Sequence, residues 1–266
     1  MSQPAPDLAT ALRVLDGGEL AVHGRLPEAS NLTLLCTARL AETSLRCVYK
    51  PVAGERPLSD FPDGSLAGRE RAAYLLSEAG GWDLVPPTVL REGPLGPGSC
   101  QLWVEADPEQ QLVAVLPAGN DHPGWFPVLR AEAEQGPVLV AHRDQPALRT
   151  LALYDAVVNN ADRKGSHLLG HGPGQVSGID HGICFAAGDK LRTLLWGWRG
   201  QPVTATDLAL LERTSRALEH GLAEQLAEHL TAVELAALAD RVDRLRRAGR
   251  YPQPPQDRPA VPWPPL

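Results

Sequence analysis

Lysine is nearly absent from this chain: only Lys50, Lys164 and Lys190 occur, and arginine carries the rest of the basic charge. Where composition presses toward arginine, a retained lysine marks a position that needs a compact ammonium rather than a planar fork. Cysteine is as sparse. Cys36, Cys47, Cys100 and Cys184 are scattered, with no Cys-x-x-Cys pair and no zinc spacing, which leaves reduced, cytoplasmic thiols as the expectation. Basic excess is missing too. A net charge of -7 removes the footprint of a nucleic-acid binder. No stretch approaches the roughly 20 apolar residues of a membrane span, and residues 1–6 carry no charged segment leading into an apolar run. The expectation is therefore a cytosolic protein with no transmembrane segment and no nucleic-acid partner.

What is present suffices for a large core, since 43% of the 266 residues are hydrophobic, enough for one large domain or two lobes. Leu8, Ala11, Leu12 and Leu15 recur at helical spacing between Asp7 and Gly17-Gly18, which predicts a short amphipathic helix. Alternating, β-rich runs at 20–26, 32–40 and 45–50 follow, separated by turn-prone residues 27–31 and 41–44. Helix formers fill 66–79 and stop at Gly80-Gly81, and two runs, 88–91 and 99–105, flank a Gly/Pro-rich turn. Residues 107–145, rich in Pro, Gly and polar side chains, read as the boundary between lobes. Beyond it the pattern is helical at 146–158, with Asp144 placed to cap, then two short strands at 167–169 and 176–179. Helices are expected at 206–218, 222–230 and 231–247, the last opened by the capping signature of Thr231 and Glu234. The fold class that follows is α+β and two-lobed: a β-rich N-lobe with one main helix (1–106), a mostly helical C-lobe (107–251) and a proline-rich tail (252–266), extended on the surface or disordered.

Phosphoryl transfer asks little covalent chemistry of a protein; it needs a positioned carboxylate, oxygen ligands for metal and a cation on the phosphates. Lys50 ends the third strand and Glu70 lies on the next helix, the arrangement in which a strand lysine is held toward a nucleotide. After the 146–158 helix comes Asn159-Asn160-Ala161-Asp162-Arg163-Lys164-Gly165-Ser166-His167, and eighteen residues beyond Asp162 stands Ile179-Asp180-His181-Gly182. Alone, each stretch fits a turn. Together, one hairpin apart, they have the layout of a kinase catalytic loop and its metal-binding Asp. His142-Arg143-Asp144 imitates the protein-kinase triplet, yet five residues beyond Asp144 stands Arg149, which cannot bind a cation. His167 and His171 are separated by Gly170 from any helix that would align them on zinc.

The stretches Asn160–Arg163 and Ile179–Gly182 resemble the catalytic and metal-binding loops of the phosphatidylinositol 3-/4-kinase superfamily and, more distantly, HipA-type kinases; the nearest likeness is to an uncharacterised actinobacterial family related to that domain. The resemblance covers about residues 21–198. It implies ATP in a cleft between lobes, Ser30 and Asn31 in the phosphate-covering turn, and a hinge by Val104 and Glu105 beside the adenine. It also implies that Asp162 orients or deprotonates an acceptor hydroxyl, that Lys164 neutralises the transferring phosphate, and that Asp180 and the residue at position 167 hold Mg or Mn. That residue is asparagine in the family pattern and His167 here; imidazole favours a transition metal, so a manganese preference is expected. The acceptor is a small molecule, a protein or a lipid head group. Two further readings stay open, a nucleotide-binding pseudokinase and a kinase-fold enzyme that transfers AMP.

Overall fold

The computed structural model describes residues 6–27, 29–62 and 64–266. Residues 1–5, read above for a leader, and Glu28, in the turn expected at 27–31, lie outside the described residues. Asp7 accepts the Thr10 amide at 2.7 Å and starts α1 (Leu8–Gly17), whose Ala11, Val14 and Leu15 are buried. Five antiparallel strands form the first sheet: β1 (Glu19–Arg25), β2 (Leu34–Leu40), β3 (Thr43–Pro51), β4 (Thr88–Gly93) and β5 (Gly96–Leu102), in the order β1-β2-β3-β5-β4. Alternation along β3 sends Cys47 and Tyr49 into a core with Val14, Leu15, Cys36, Val89 and Cys100. Lys50 consequently points to the opposite face. All four cysteines are free and buried.

That opposite face meets α2 (Leu66–Gly80). The Glu55 carboxylate accepts the first free amides of this helix, Leu66 at 3.1 Å and Ala67 at 2.8 Å, an anion where the helix dipole favours one. Gly81, at φ 67°, ends it in the left-handed region, as the Gly80-Gly81 pair predicts. Arg69 is buried at 1% exposure and donates to Cys184 O at 2.7 Å and to Glu234 at 2.5 Å, so α2 is anchored on the helical lobe.

Residues 107–145, read from the sequence as the boundary between lobes, hold regular structure of their own. They contain an antiparallel sheet of β6 (Val113–Pro117), β7 (Trp125–Ala133) and β8 (Gly136–Arg143), ordered β6-β8-β7. Pro117 and Pro127 sit on its two edge strands, where a missing N–H is tolerated, and the register slips between Pro127 and Leu129. These interruptions hide the alternation. The second lobe is thus helical with an added small sheet.

The helix α3 (Pro146–Val158) buries Leu148, Leu151, Leu153, Tyr154, Val157 and Val158 in the main core. Asp144 does not cap it. Gln145 holds the cap position without a side-chain bond, and Asp144 accepts the Trp198 indole N–H at 3.2 Å. His142 is structural as well, donating from Nδ1 to Arg143 O at 2.9 Å and accepting Gly197 N–H on Nε2 at 3.0 Å. Beyond α3, β9 (Leu168–Gly170) pairs with β10 (Val176–Gly178), and α4 (Ala205–Ala217), α5 (Ala223–Leu226) and α6 (Ala232–Ala248) complete the lobe. The helix expected at 222–230 stops four residues early, where residues 227–229 form a turn in which the His229 amide reaches back three residues to Leu226 O at 2.9 Å. Thr231 and Glu234 cap α6 reciprocally, as their spacing predicts. Among the described residues no helix is long and apolar enough to cross a membrane.

Candidate active site

Three chain segments meet at one ammonium. Lys50, at the end of β3, donates to Glu70 on α2 and to Asp180 at 2.9 Å in the turn after β10. Glu70 is nearly sealed and its second oxygen accepts the His181 amide at 3.0 Å, so the helix and the turn are fixed on the same carboxylate. Burial works to discharge Lys50, but Asp180 and Glu70 outweigh it and hold the ammonium above its ordinary range. Burial raises Glu70 against the pull of Lys50. Burial also acts to raise Asp180, yet Lys50 and His167 prevail and keep it ionised well below the usual carboxylate range. Asp180 retains 48% side-chain exposure and adopts φ 60°, in the left-handed region that aspartate enters more readily than most residues.

The loop after α3 brings the second carboxylate. Asn159 ends the helix at φ 55°, and its amide group donates to Ala186 O at 2.9 Å and Gly188 O at 2.7 Å. Asn160 accepts the Asp162 amide at 2.9 Å, and the Asp162 carboxylate, which keeps 22% side-chain exposure, has Lys164 Nζ 3.3 Å from it. Burial raises the Asp162 carboxyl, offset in part by Lys164. His167 places Nε2 3.4 Å from the free oxygen of Asp180, and burial lowers its pKa to about 4, so the ring is neutral at pH 7. Its Nδ1 faces the Lys164 amide at 3.5 Å, which puts the ring proton on Nε2 and toward Asp180. Coordination through Nε2 requires that proton to move to Nδ1.

Among the described residues no three His, Cys, Asp or Glu side chains cluster as a metal cage. Asp180 and His167 fit a different type of site, in which two protein ligands share a divalent ion with phosphate oxygens. Two ligands at ~2.1 Å and right angles on one ion stand about 3 Å apart, close to the observed separation.

Sequence reasoning missed the group that holds these loops together. Arg163 and Asp155 are both fully buried, and Arg163 donates from Nε at 3.1 Å and from Nη2 at 3.0 Å to Asp155. The same guanidinium donates to Ile179 O at 2.5 Å and His181 Nε2 at 2.7 Å, on either side of Asp180. Asn160 adds a bond to Asp155 at 3.1 Å. The available signal was Asp155 itself, a lone carboxylate in the apolar run Leu151–Val158.

Among the described residues, the remaining expected residues make no hydrogen bond to this cluster. Ser30 and Asn31 sit in the β1–β2 connection at the Lys50 end of the sheet, since Leu34 pairs with Tyr49. Asn31 there accepts the Arg56 amide at 2.9 Å and ties that connection to the turn after β3. Val104 and Glu105 follow β5, and the Glu105 carboxylate pairs with Arg46. Arg46 is four residues from Lys50 along β3, roughly 13 Å at strand rise, so Glu105's carboxylate turns away from the ammonium. Val104 lines a recess with Trp82, Leu84, Val85, Ala147 and Val176.

Protein Rv2133c of Mycobacterium tuberculosis (strain ATCC 25618 / H37Rv) is 48% identical to this chain over 261 residues, which is 94% of each protein. The chain belongs to the family of Rv2133c. No protein-family model matches it. The crystal structure of the Golgi casein kinase superposes on 91% of this chain and 75% of its own at 12% identity with a TM-score of 0.51. The Helicobacter pylori proinflammatory kinase CtkA covers 89% of this chain and 94% of its own at 9% identity and a TM-score of 0.45. The likeness to the Golgi casein kinase shows that the family member described here has a kinase-like fold, with the β-rich part first and the helices later.

Proposed function

We propose that the chain is an ATP-dependent phosphotransferase with an alcohol acceptor, of the phosphatidylinositol 3-/4-kinase-like type. The observation that carries the reading is the convergence of Lys50, Glu70 and Asp180 beside Asp162 and His167, in a kinase-like fold. In the reaction the acceptor oxygen bonds the γ-phosphorus, the bond to the β-phosphate bridging oxygen breaks, ADP leaves, and the hydroxyl proton passes to Asp162. Burial raises the Asp162 carboxyl toward the pH at which it works, which favours acceptance of that proton. Lys50 would hold the nucleotide phosphates, and Lys164 would neutralise the phosphoryl group in flight. Asp180 and His167 would hold magnesium or manganese, whose charge offsets that of the phosphates.

Purified protein with γ-labelled ATP and either metal, beside Asp162→Asn, tests this. Metal-dependent release or transfer of label should fall about 10²–10⁴-fold in the variant. Manganese should support turnover at least as well as magnesium. His167 in the metal position favours a second reading, a nucleotide-binding module without turnover. ATP binding with no label released in either metal would select it, and incorporation of α-label would select AMP transfer.

A further inference from the structure

Residues 252–266 contain seven prolines and form neither helix nor strand, yet they do not leave the protein surface at random. Tyr251 anchors them: it is buried, and its hydroxyl donates to Asp207 at 2.9 Å. Nine residues on, the Ala260 carbonyl accepts two donors from the segment that follows the Asp180 turn, Thr193 N–H at 3.0 Å and the Trp196 indole N–H at 2.8 Å. Pro262 is buried, and the Pro265 carbonyl accepts the Gly165 amide at 2.8 Å. Gly165 is the neighbour of Lys164 and stands three residues from Asp162. A Cβ placed on Gly165 would lie 2.9, 3.3 and 3.5 Å from side-chain carbons of Leu266, Val113 and Leu194, so the apolar end of the segment closes directly on the loop.

The composition explains the arrangement. Proline removes backbone donors and keeps the chain extended at little entropic cost, so such a segment has carbonyls to offer and cannot form a ladder of its own. Its acceptors meet donors on two loops that already pair with each other, Arg163 N–H donating to Arg192 O at 3.1 Å and Leu194 N–H to Arg163 O at 3.2 Å, and it adds a further tie beyond that bridge. The Asp162 loop is held by Arg163, whose guanidinium reaches Ile179 and His181, and by Arg192, which donates from its amide to Asn160 O at 2.9 Å and from Nε to Ala161 O at 2.7 Å; beyond Arg163, Gly165 has the Pro265 bond and the Leu266 contact.

We propose that residues 258–266 are a positioning strap of the active site: by extending the tie between the Asp162 loop and the 193–196 segment past the Arg163–Thr193 bridge to Gly165, they hold Lys164 and Asp162 at the distance transfer requires. The kinetic part of this rests on the phosphotransfer reading. The strap acts through the loop and touches no reacting atom.

The test compares the full chain with a chain stopped after Asp257 and with Leu266→Asp, using amide hydrogen exchange and manganese-ATP turnover. Removal of the strap should speed exchange at Gly165 and Thr193 while leaving the β3 and α2 amides protected. Turnover should fall about tenfold or more with the KM for ATP nearly unchanged, because a small displacement of catalytic groups is expensive. A synthetic peptide of residues 258–266 added in trans should restore it, which repair of general stability would not explain. Leu266→Asp keeps the Tyr251 and Ala260 anchors and should show the same loss if the shortened chain does not fold. Full turnover without the strap, or a rise, overturns the proposal, the rise marking an inhibitory cover instead. Unchanged exchange at Gly165 and Thr193 overturns it as well. If the full chain binds ATP but never turns it over, the phosphotransfer reading fails, while the exchange comparison still decides whether the strap secures the loop.

Discussion

Two charged clusters meet at the Ile179–His181 turn, and they differ in what they leave free. Asp155 and Arg163 are sealed, with both carboxylate oxygens engaged and the guanidinium shared among Asp155, Ile179 O and His181. Lys50 and Asp180 keep 22% and 48% of their side chains open, and the Asp180 carboxylate retains unused lone pairs after meeting Lys50 and His167. A sealed pair with its bonding capacity used up fixes geometry, whereas an open pair can exchange partners with a ligand. The first cluster is scaffold for the second.

The sharpest way to separate them is to remove one charge from each. Asp180→Asn should lower manganese-ATP turnover by roughly 10²–10³-fold, the usual loss when a group that stabilises developing charge is removed. Its midpoint in urea should stay near that of the parent, because open ion pairs add little stability. Arg163→Met should do the reverse first, costing about 3–5 kcal/mol by stranding a buried carboxylate. The double variant Asp155→Leu/Arg163→Met should recover much of that stability; if Arg163→Met unfolds no earlier than Asp180→Asn, the distinction collapses.

The sealed side has a neutral counterpart in His142, where burial lowers the pKa from 6.5 to about 4. The unfolded chain binds a proton there that the folded chain refuses, so stability rises with pH across that window and is lost as pH falls from 6.5 to about 4. His142 should account for about 3 kcal/mol of the loss. Urea titrations at several pH values should show a flatter profile in His142→Gln than in the parent. The smallest effect is expected at His167→Asn, which should shift the ratio of manganese to magnesium turnover toward magnesium by a few fold, an amide oxygen being the harder ligand. A ratio that does not move removes the imidazole from the metal's surroundings.

Much of the first lobe was readable because its periodicity is clean. Alternation through Cys47, Tyr49 and Lys50 and the helix stop at Gly80-Gly81 place Lys50 opposite Glu70 before any coordinates are known. The Asp162 and Asp180 loops were readable from spacing, since one short hairpin must bring them together. The second sheet was not, because Pro117, Pro127 and Gly136 carry the same signal in an edge strand or tight turn as in a connector. Asp144 misled for another reason: its position before Pro146 suits a cap, and only the long-range approach of Trp198 diverts it. Arg163 drew no role of its own from the sequence, since nothing local shows that Asp155, eight residues back and inside an apolar helix, needs a partner.

The anchoring of α2 bears on how the two lobes can move. Arg69 and Glu70 are consecutive, and the first is bonded to Glu234 and Cys184 on the helical lobe while the second holds Lys50 of the sheet. The helix is thus a fixed post on the helical lobe, and the sheet is latched to it at two points, through the Lys50 ammonium and through Arg71, which donates to the Thr88 carbonyl at the start of β4. Swinging the sheet away from the helix to admit a ligand breaks the bonds from Lys50 to Glu70 and Asp180 together with the bond from Arg71 to Thr88 O, so opening is a concerted release of both latches rather than a gradual widening.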